Sequence, residues 1–96
     1  MKKYTFYLRA GEDKDGQSIE HVGLKKHLVE AYLSDIFGAF NVIVANGIWK
    51  GVAEQTFIYT IIAEKCDLKI KAAKEYLRDT FNQTLVLTTS EEIEAL

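Results

Sequence analysis

Residues Glu54 to Glu64, EQTFIYTIIAE, are apolar on both sides of a β-strand. Side chains alternate across a strand, so Phe57, Tyr59 and Ile61 point one way while Ile58 and Ile62 point the other. An antiparallel strand with one wet face places polar residues on that face instead. This strand therefore asks for cover on both sides. A chain of 96 residues with two helical segments covers one face of a sheet. The second face is left apolar, which marks an interface. We expect an oligomer joined through that face; the competing arrangement covers it with helix ends and the C-terminal tail.

The other elements follow from periodicity and punctuation. Tyr4 to Ala10 is a strand with Tyr4, Phe6 and Leu8 on one face. Gly11 to Gln17, GEDKDGQ, is a charged loop. Ser18 is the expected N-cap of a first helix, with Glu20 in its first turn. Leu24, Leu28, Ala31, Tyr32 and Ile36 recur there at helical spacing, and Gly38 ends the helix. Ala39 to Trp49 is the second strand, with Phe40, Val42 and Val44 facing one way and Ile43 and Ala45 the other. Asn46-Gly47 fits either a turn or a bulge within a long strand; we favour the bulge, with the reversal near Lys50 to Ala53. Asp67 is expected to cap a second helix with the stripe Ile70, Ala73, Leu77 and Phe81, and Asn82 to stop it. Thr84 to Thr89 is the fourth strand, and Ser90 to Leu96 an acidic tail with room for one helical turn. The order β-α-β-β-α-β predicts one α+β domain over residues 1–96: the ferredoxin-like split βαβ, a four-stranded antiparallel sheet with two helices on one face.

Composition removes several function classes. The net charge of −2 and a pI near 5.6 lack the basic excess of a nucleic-acid binder. One cysteine, Cys66, makes a disulfide within the chain impossible and fits a reducing cytosol. Two histidines, His21 and His27, lie six apart, not four, so they do not share a helix face as a metal pair. No metal and no cofactor is expected. No apolar run approaches the ~20 residues of a membrane span, and the alternating N-terminus reads as a strand rather than a leader. The expectation is a cytoplasmic protein with no nucleic-acid or membrane partner.

From Gly38 onward an ordered set of short features appears: Gly38-x-Phe40, then Asn46-Gly47-x-Trp49, then Glu54-x-Thr56 opening a strand, then Lys65, and after the second helix Asn82-Gln83-x-x-Val86-Leu87. Together with the aromatic first strand (Tyr4, Phe6, Tyr7), this order resembles the phage-encoded S-adenosylmethionine lyases, long called hydrolases. Here the connection from aromatic to glutamate is shorter, Trp49 stands where that family usually has tyrosine, and the family's further C-terminal sequence is missing. Small bacterial proteins with a Gly-x-Trp, a following Glu and a Phe-x-Gln before the last strand are also similar. The lyase resemblance implies a homotrimer of PII-like architecture with sites between subunits. It also implies cleavage of S-adenosylmethionine into methylthioadenosine and homoserine lactone, without cofactor, in an infected or bacterial host cell whose restriction it counteracts.

The resemblance makes Glu54 the leading catalytic residue, able to bind the substrate's ammonium or ribose hydroxyls; on residue type alone it reads as a solvated strand-end carboxylate. Trp49, expected opposite Glu54 across the hairpin, offers a face for the sulfonium or ordinary interface packing. Tyr7 and Tyr59 are candidates for an adenine slot or for the core, and Thr56 for a hydrogen-bond donor or a plain strand former. Two other functions fit the same residues. One is a non-catalytic PII-like trimer holding an adenine nucleotide between subunits. The other is a phage or bacterial interaction protein whose open sheet binds another protein.

Overall fold

The computed structural model describes residues 1–94. Its elements are β1 (Lys2–Arg9), α1 (Val22–Phe37), β2 (Asn41–Trp49), β3 (Val52–Ala63), α2 (Asp67–Thr80) and β4 (Leu87–Glu92). The four strands form one antiparallel sheet in the order β2-β3-β1-β4, the ferredoxin-like arrangement expected from the element order.

Register decides which residues share a face. Tyr4, Phe6 and Leu8 lie opposite Ile61, Tyr59 and Phe57. All six are buried, together with Val29 and Leu33 of α1, Ile70, Ala73 and Leu77 of α2, and Phe81. The helices therefore cover this face of β1 and β3, and the α2 stripe read from the sequence is the packed one. Truncating a fully buried leucine such as Leu33 or Leu77 to alanine leaves a cavity costing ~2–5 kcal/mol.

The first helix departs from expectation. It starts at Val22, and its N-cap is His21 in left-handed conformation (φ 54°), not Ser18. Its buried residues are Val29 and Leu33, while Leu24, Leu28 and Ile36 are exposed. Tyr32 is partly covered by stacking on Tyr76 of α2, with centroids 4.3 Å apart. The helix carries two apolar stripes, and the one formed by Leu24, Leu28 and Ile36 faces outward. Cys66 rather than Asp67 is the N-cap of α2, and Asp67 opens its first turn. Asn82 adopts positive φ (49°) just past the helix, as a C-terminal stop requires.

No bulge interrupts β2. Asn46 pairs with Gln55 and Gly47 with Glu54 in unbroken register. The chain reverses at Lys50-Gly51, whose φ values of 49° and 79° are both positive. That pattern suits a two-residue hairpin loop matched to strand twist, and glycine at the second position removes its steric cost. Beyond Thr56, β3 has only β2 as a ladder partner, so residues 46–55 project as a two-stranded arm. The fourth strand begins at Leu87 rather than Thr84, because Gln83 to Val86 is used to anchor a loop and close the core. Ser90 to Glu92 extend β4 instead of forming a helical turn. The rest of that reading, at residues 95 and 96, lies outside the described part.

Tyr59 is fully buried, and its hydroxyl donates to Glu30 Oε2 at 3.0 Å, an atom also paired with Lys26 Nζ at 2.6 Å. Burial, then the Glu30 contact, pushes the phenol's pKa well above its ordinary value. The folded state thus keeps a proton that the unfolded chain releases near pH ~10. This stabilisation is complete below that pH and is lost as pH rises toward the folded-state pKa. Denaturation midpoints from about pH 8 to about pH 11 should fall less in Tyr59→Phe than in the wild type. Equal slopes would contradict the assignment.

Candidate functional site

The uncovered sheet face is built in cross-strand rows. Leu87, Tyr7, Ile58 and Ile43 lie side by side across all four strands, an apolar belt. Next to it lies a row of Thr89, Thr5, Thr60 and Asn41, and beyond that Glu91, Lys3 and Ile62. Ile43 is 61% exposed and Ile62 51% exposed, so nothing among the described residues covers this part of the face. On the other side of the belt come Arg9, Thr56 and Ala45, then Glu54 beside Gly47, then Trp49 beside Val52. Glu54, Trp49, Thr56 and Tyr7, chosen from the sequence, are thus on one face.

Tyr59 is not among them. It lies one residue out of phase, on the helix side and fully buried, with its hydroxyl committed to Glu30. Trp49 is also displaced from expectation: it pairs with Val52, and Glu54 faces Gly47. The two-residue turn at Lys50-Gly51 is shorter than the reversal assumed from sequence, which shifts the register by two.

Arg9, a residue the sequence did not single out, joins Trp49 and Glu54. Its Nε donates to Glu54 Oε1 and its Nη2 to Oε2 at 3.3 Å, the two-pronged geometry that suits guanidinium and carboxylate. Its Cζ lies 4.2 Å from the centre of the Trp49 ring, so the indole face already carries a cation. The Glu54 side chain is 7% exposed and that of Arg9 28%. The carboxylate is thus shielded from water but met by the guanidinium fork. Position 54 is therefore not the solvated strand-end carboxylate that its residue type alone suggested.

A loop completes the enclosure of Glu54. The backbone N–H of Glu12 donates to Oε2 at 3.3 Å. A Cβ at Gly11 would stand 2.5 Å from Glu54 Cβ and 2.6 Å from Oε2, so only glycine lets the loop close over this side chain. Gly47 does similar work on the open face, where a Cβ would approach Thr56 Oγ1 to 3.2 Å. With Ala45 it leaves a low floor beside Thr56, walled by Trp49.

The loop is held from the far end of the chain. Gln83 is buried, and its Nε2 donates to the carbonyls of Arg9 (3.2 Å) and Glu12 (2.7 Å). Asn82 Nδ2 donates to Asp13 Oδ2 at 3.0 Å, and Lys14 N to the Asn82 carbonyl at 2.9 Å. The backbone N–H of Gln17, followed by the Asn82 amide and the N–H of Asp15, holds the Asp13 carboxyl below its usual pKa despite some desolvation. The Asn82-Gln83 pair noted in the sequence thus braces the loop over Glu54.

Clefts elsewhere in the chain are lined by α2 with the segment before β4, by the α1 C-terminus with the α2 N-terminus, and by α2 with β4. None includes the Glu54 cluster, which lies on a surface rather than in a cavity. Among the described residues no three His, Cys, Asp or Glu side chains converge to hold a metal ion. No helix of the described residues is long and apolar enough to cross a membrane.

No family model matches this chain, and no curated protein matches it. Among solved structures it is similar to a phage SAM lyase in the apo state, at 21% identity over 94% of this chain and 78% of that one, with a TM-score of 0.65. It also matches the PII-like protein CutA from Nostoc sp. PCC 7120 in apo form, at 18% identity over 98% of this chain and 82% of that one, with a TM-score of 0.47. At this identity the likeness to the lyase is one of fold.

The bracing by Gln83 is open to test. Gln83→Leu keeps the volume but orphans two carbonyls, and should cost about 1–3 kcal/mol in chemical denaturation with the denaturant slope unchanged. A cost within a few tenths of a kcal/mol would show that the loop is held some other way.

Proposed function

We propose that this protein degrades S-adenosylmethionine to methylthioadenosine and homoserine lactone. It does so as a homotrimer whose copies meet through the open sheet face, with the Glu54 cluster at the seams. One observation carries this reading: Glu54, Arg9, Trp49, Thr56 and Tyr7 converge on the uncovered apolar face, on a surface that lacks an outer wall. A second copy on that face supplies the wall and excludes water. The fold shared with phage SAM lyase and the order of the sequence motifs support the same reading.

The chemistry asks little of the protein beyond geometry. One oxygen of the substrate's carboxylate forms a bond to its own γ-carbon. The bond from that carbon to the sulfonium sulfur breaks, and sulfur keeps the electron pair. Methylthioadenosine leaves neutral, and no proton has to move. Holding attacking oxygen and carbon in line is worth up to roughly 7–11 kcal/mol in favourable intramolecular cases. The step also removes a positive and a negative charge, so a dry seam that replaces their hydration assists it. Glu54 anchors the substrate's ammonium, Thr56 donates a hydrogen bond, and Tyr7 and Trp49 provide aromatic walls. In its cytoplasmic setting, in an infected or bacterial host cell, loss of the methyl donor would blunt restriction.

Purified protein incubated with S-adenosylmethionine should release methylthioadenosine and homoserine lactone in equal amounts, resolved by chromatography. Glu54→Gln removes the charge and turns one prong of the Arg9 contact into donor against donor, and should lower turnover by about 100-fold or more. Intact substrate after prolonged incubation with folded wild-type protein contradicts the proposal. Binding without cleavage would instead favour a PII-like ligand-holding module.

A further inference from the structure

We infer that the Arg9–Glu54 pair is a recognition element for the head group of an α-amino acid, with Arg9 taking the carboxylate and Glu54 the ammonium. This rests on the S-adenosylmethionine reading and narrows it. It assigns a substrate-contacting role to Arg9 and a basis for refusing ligands that share only the adenosine.

Free valences carry the inference. A guanidinium has five N–H donors. Arg9 spends Nε and one Nη2 hydrogen on Glu54, and its guanidinium makes no other hydrogen bond among the described residues. Its end-on edge, Nη1 with Nη2, is left to receive a second carboxylate. The group is also rigid: Glu54 holds one edge and the Trp49 ring lies against its face. A donor fork held in place loses little entropy when it binds. Glu54 in turn accepts three hydrogen bonds, from Arg9 Nε, Arg9 Nη2 and Glu12 N. Of the roughly four acceptor positions on a carboxylate, one receives no hydrogen bond from the described residues, on a side chain that keeps 7% exposure.

Two opposite charges, adjacent and each with one face unspent, match a ligand that carries the opposite charges on a single carbon. An α-amino acid does so. A nucleotide brings only negative charge and meets Glu54 as a repulsive neighbour. The floor of Ala45 and Gly47 gives the ligand room beside Arg9, and Thr56 stands directly across from Arg9 in register.

Calorimetric titration of the assembled wild-type protein tests this with four ligands. S-adenosylhomocysteine carries the head group without the sulfonium, methylthioadenosine carries neither, decarboxylated S-adenosylmethionine lacks only the carboxylate, and free methionine lacks the adenosine. S-adenosylhomocysteine should bind about 10- to 100-fold more tightly than methylthioadenosine or the decarboxylated compound, as loss of a charge-assisted contact implies. Arg9→Lys, which keeps the charge but loses the fork, should bring that ratio toward one while leaving methylthioadenosine affinity unchanged. If Arg9→Lys does not fold, the wild-type ratio decides alone. Equal wild-type affinities for S-adenosylhomocysteine and methylthioadenosine overturn the inference and leave the lyase reading standing. Binding of methionine without any adenosine compound supports the inference and removes the lyase reading. Absence of binding by every amino-acid ligand overturns it.

Discussion

The alternation along β3 governs the rest of the molecule. It is an inner strand, paired to β2 on one side and β1 on the other, so its phase sets the phase of both neighbours. Phe57, Tyr59 and Ile61 gather β1 and the two helices into a core. The intervening Thr56, Ile58, Thr60 and Ile62 line up with Arg9, Tyr7, Thr5 and Lys3 on the uncovered face. A slip by one residue would exchange these sets, exposing three large buried side chains. At roughly 1.5–3 kcal/mol for each side chain withdrawn from the core, such a slip exceeds much of the stability a small domain has. The register that secures the core therefore also brings Arg9 beside Glu54.

That ion pair ties three parts of the fold together. Arg9 ends β1, Glu54 sits at the base of the projecting arm, and Glu12 belongs to the loop that Gln83 fastens to the far end of α2. The pair is shielded, so removing one partner strands a desolvated charge, which in buried cases costs about 3–5 kcal/mol. It also changes what the site offers. An isolated carboxylate on an apolar face would attract any cation. A carboxylate already neutralised by a guanidinium is a dipole with directional donors and acceptors, and selects for the shape of charge rather than its sign. The Trp49 face is likewise occupied, so an incoming sulfonium meets an indole whose inner face Arg9 has taken.

Much of this was legible in the sequence. The element order, the α2 stripe of Ile70, Ala73, Leu77 and Phe81 and the two-faced third strand come from local pattern and hold in the structure. Local pattern alone reads Glu54 as a solvated carboxylate; only the family resemblance singles it out, and its shielding depends on Arg9 and the loop at Gly11. What was missed depends on contacts between distant residues. Leu24, Leu28 and Ile36 form as good a helical stripe as Val29 and Leu33, and only the packing of α1 onto the core decides which is buried. Asn46-Gly47 reads as a bulge, but Gly47 stays in register and serves the close approach of Thr56, and the reversal expected near Lys50 to Ala53 is the tighter Lys50-Gly51 turn. Arg9 had no local signal, because its partner lies 45 positions away and the pairing follows from the loop that Gly11 permits. Tyr59 was separated from Tyr7 by a single step of alternation relative to its neighbours, which the count along the strand already contained.

The central claim is that the apolar sheet face and the charge pair beside it are made to be closed by further copies of the chain. Light scattering coupled to size exclusion, across a dilution series, measures this directly. The account predicts a species of three times the 10.9 kDa chain mass that persists on dilution. A single chain, stable and well behaved at every concentration, would contradict it.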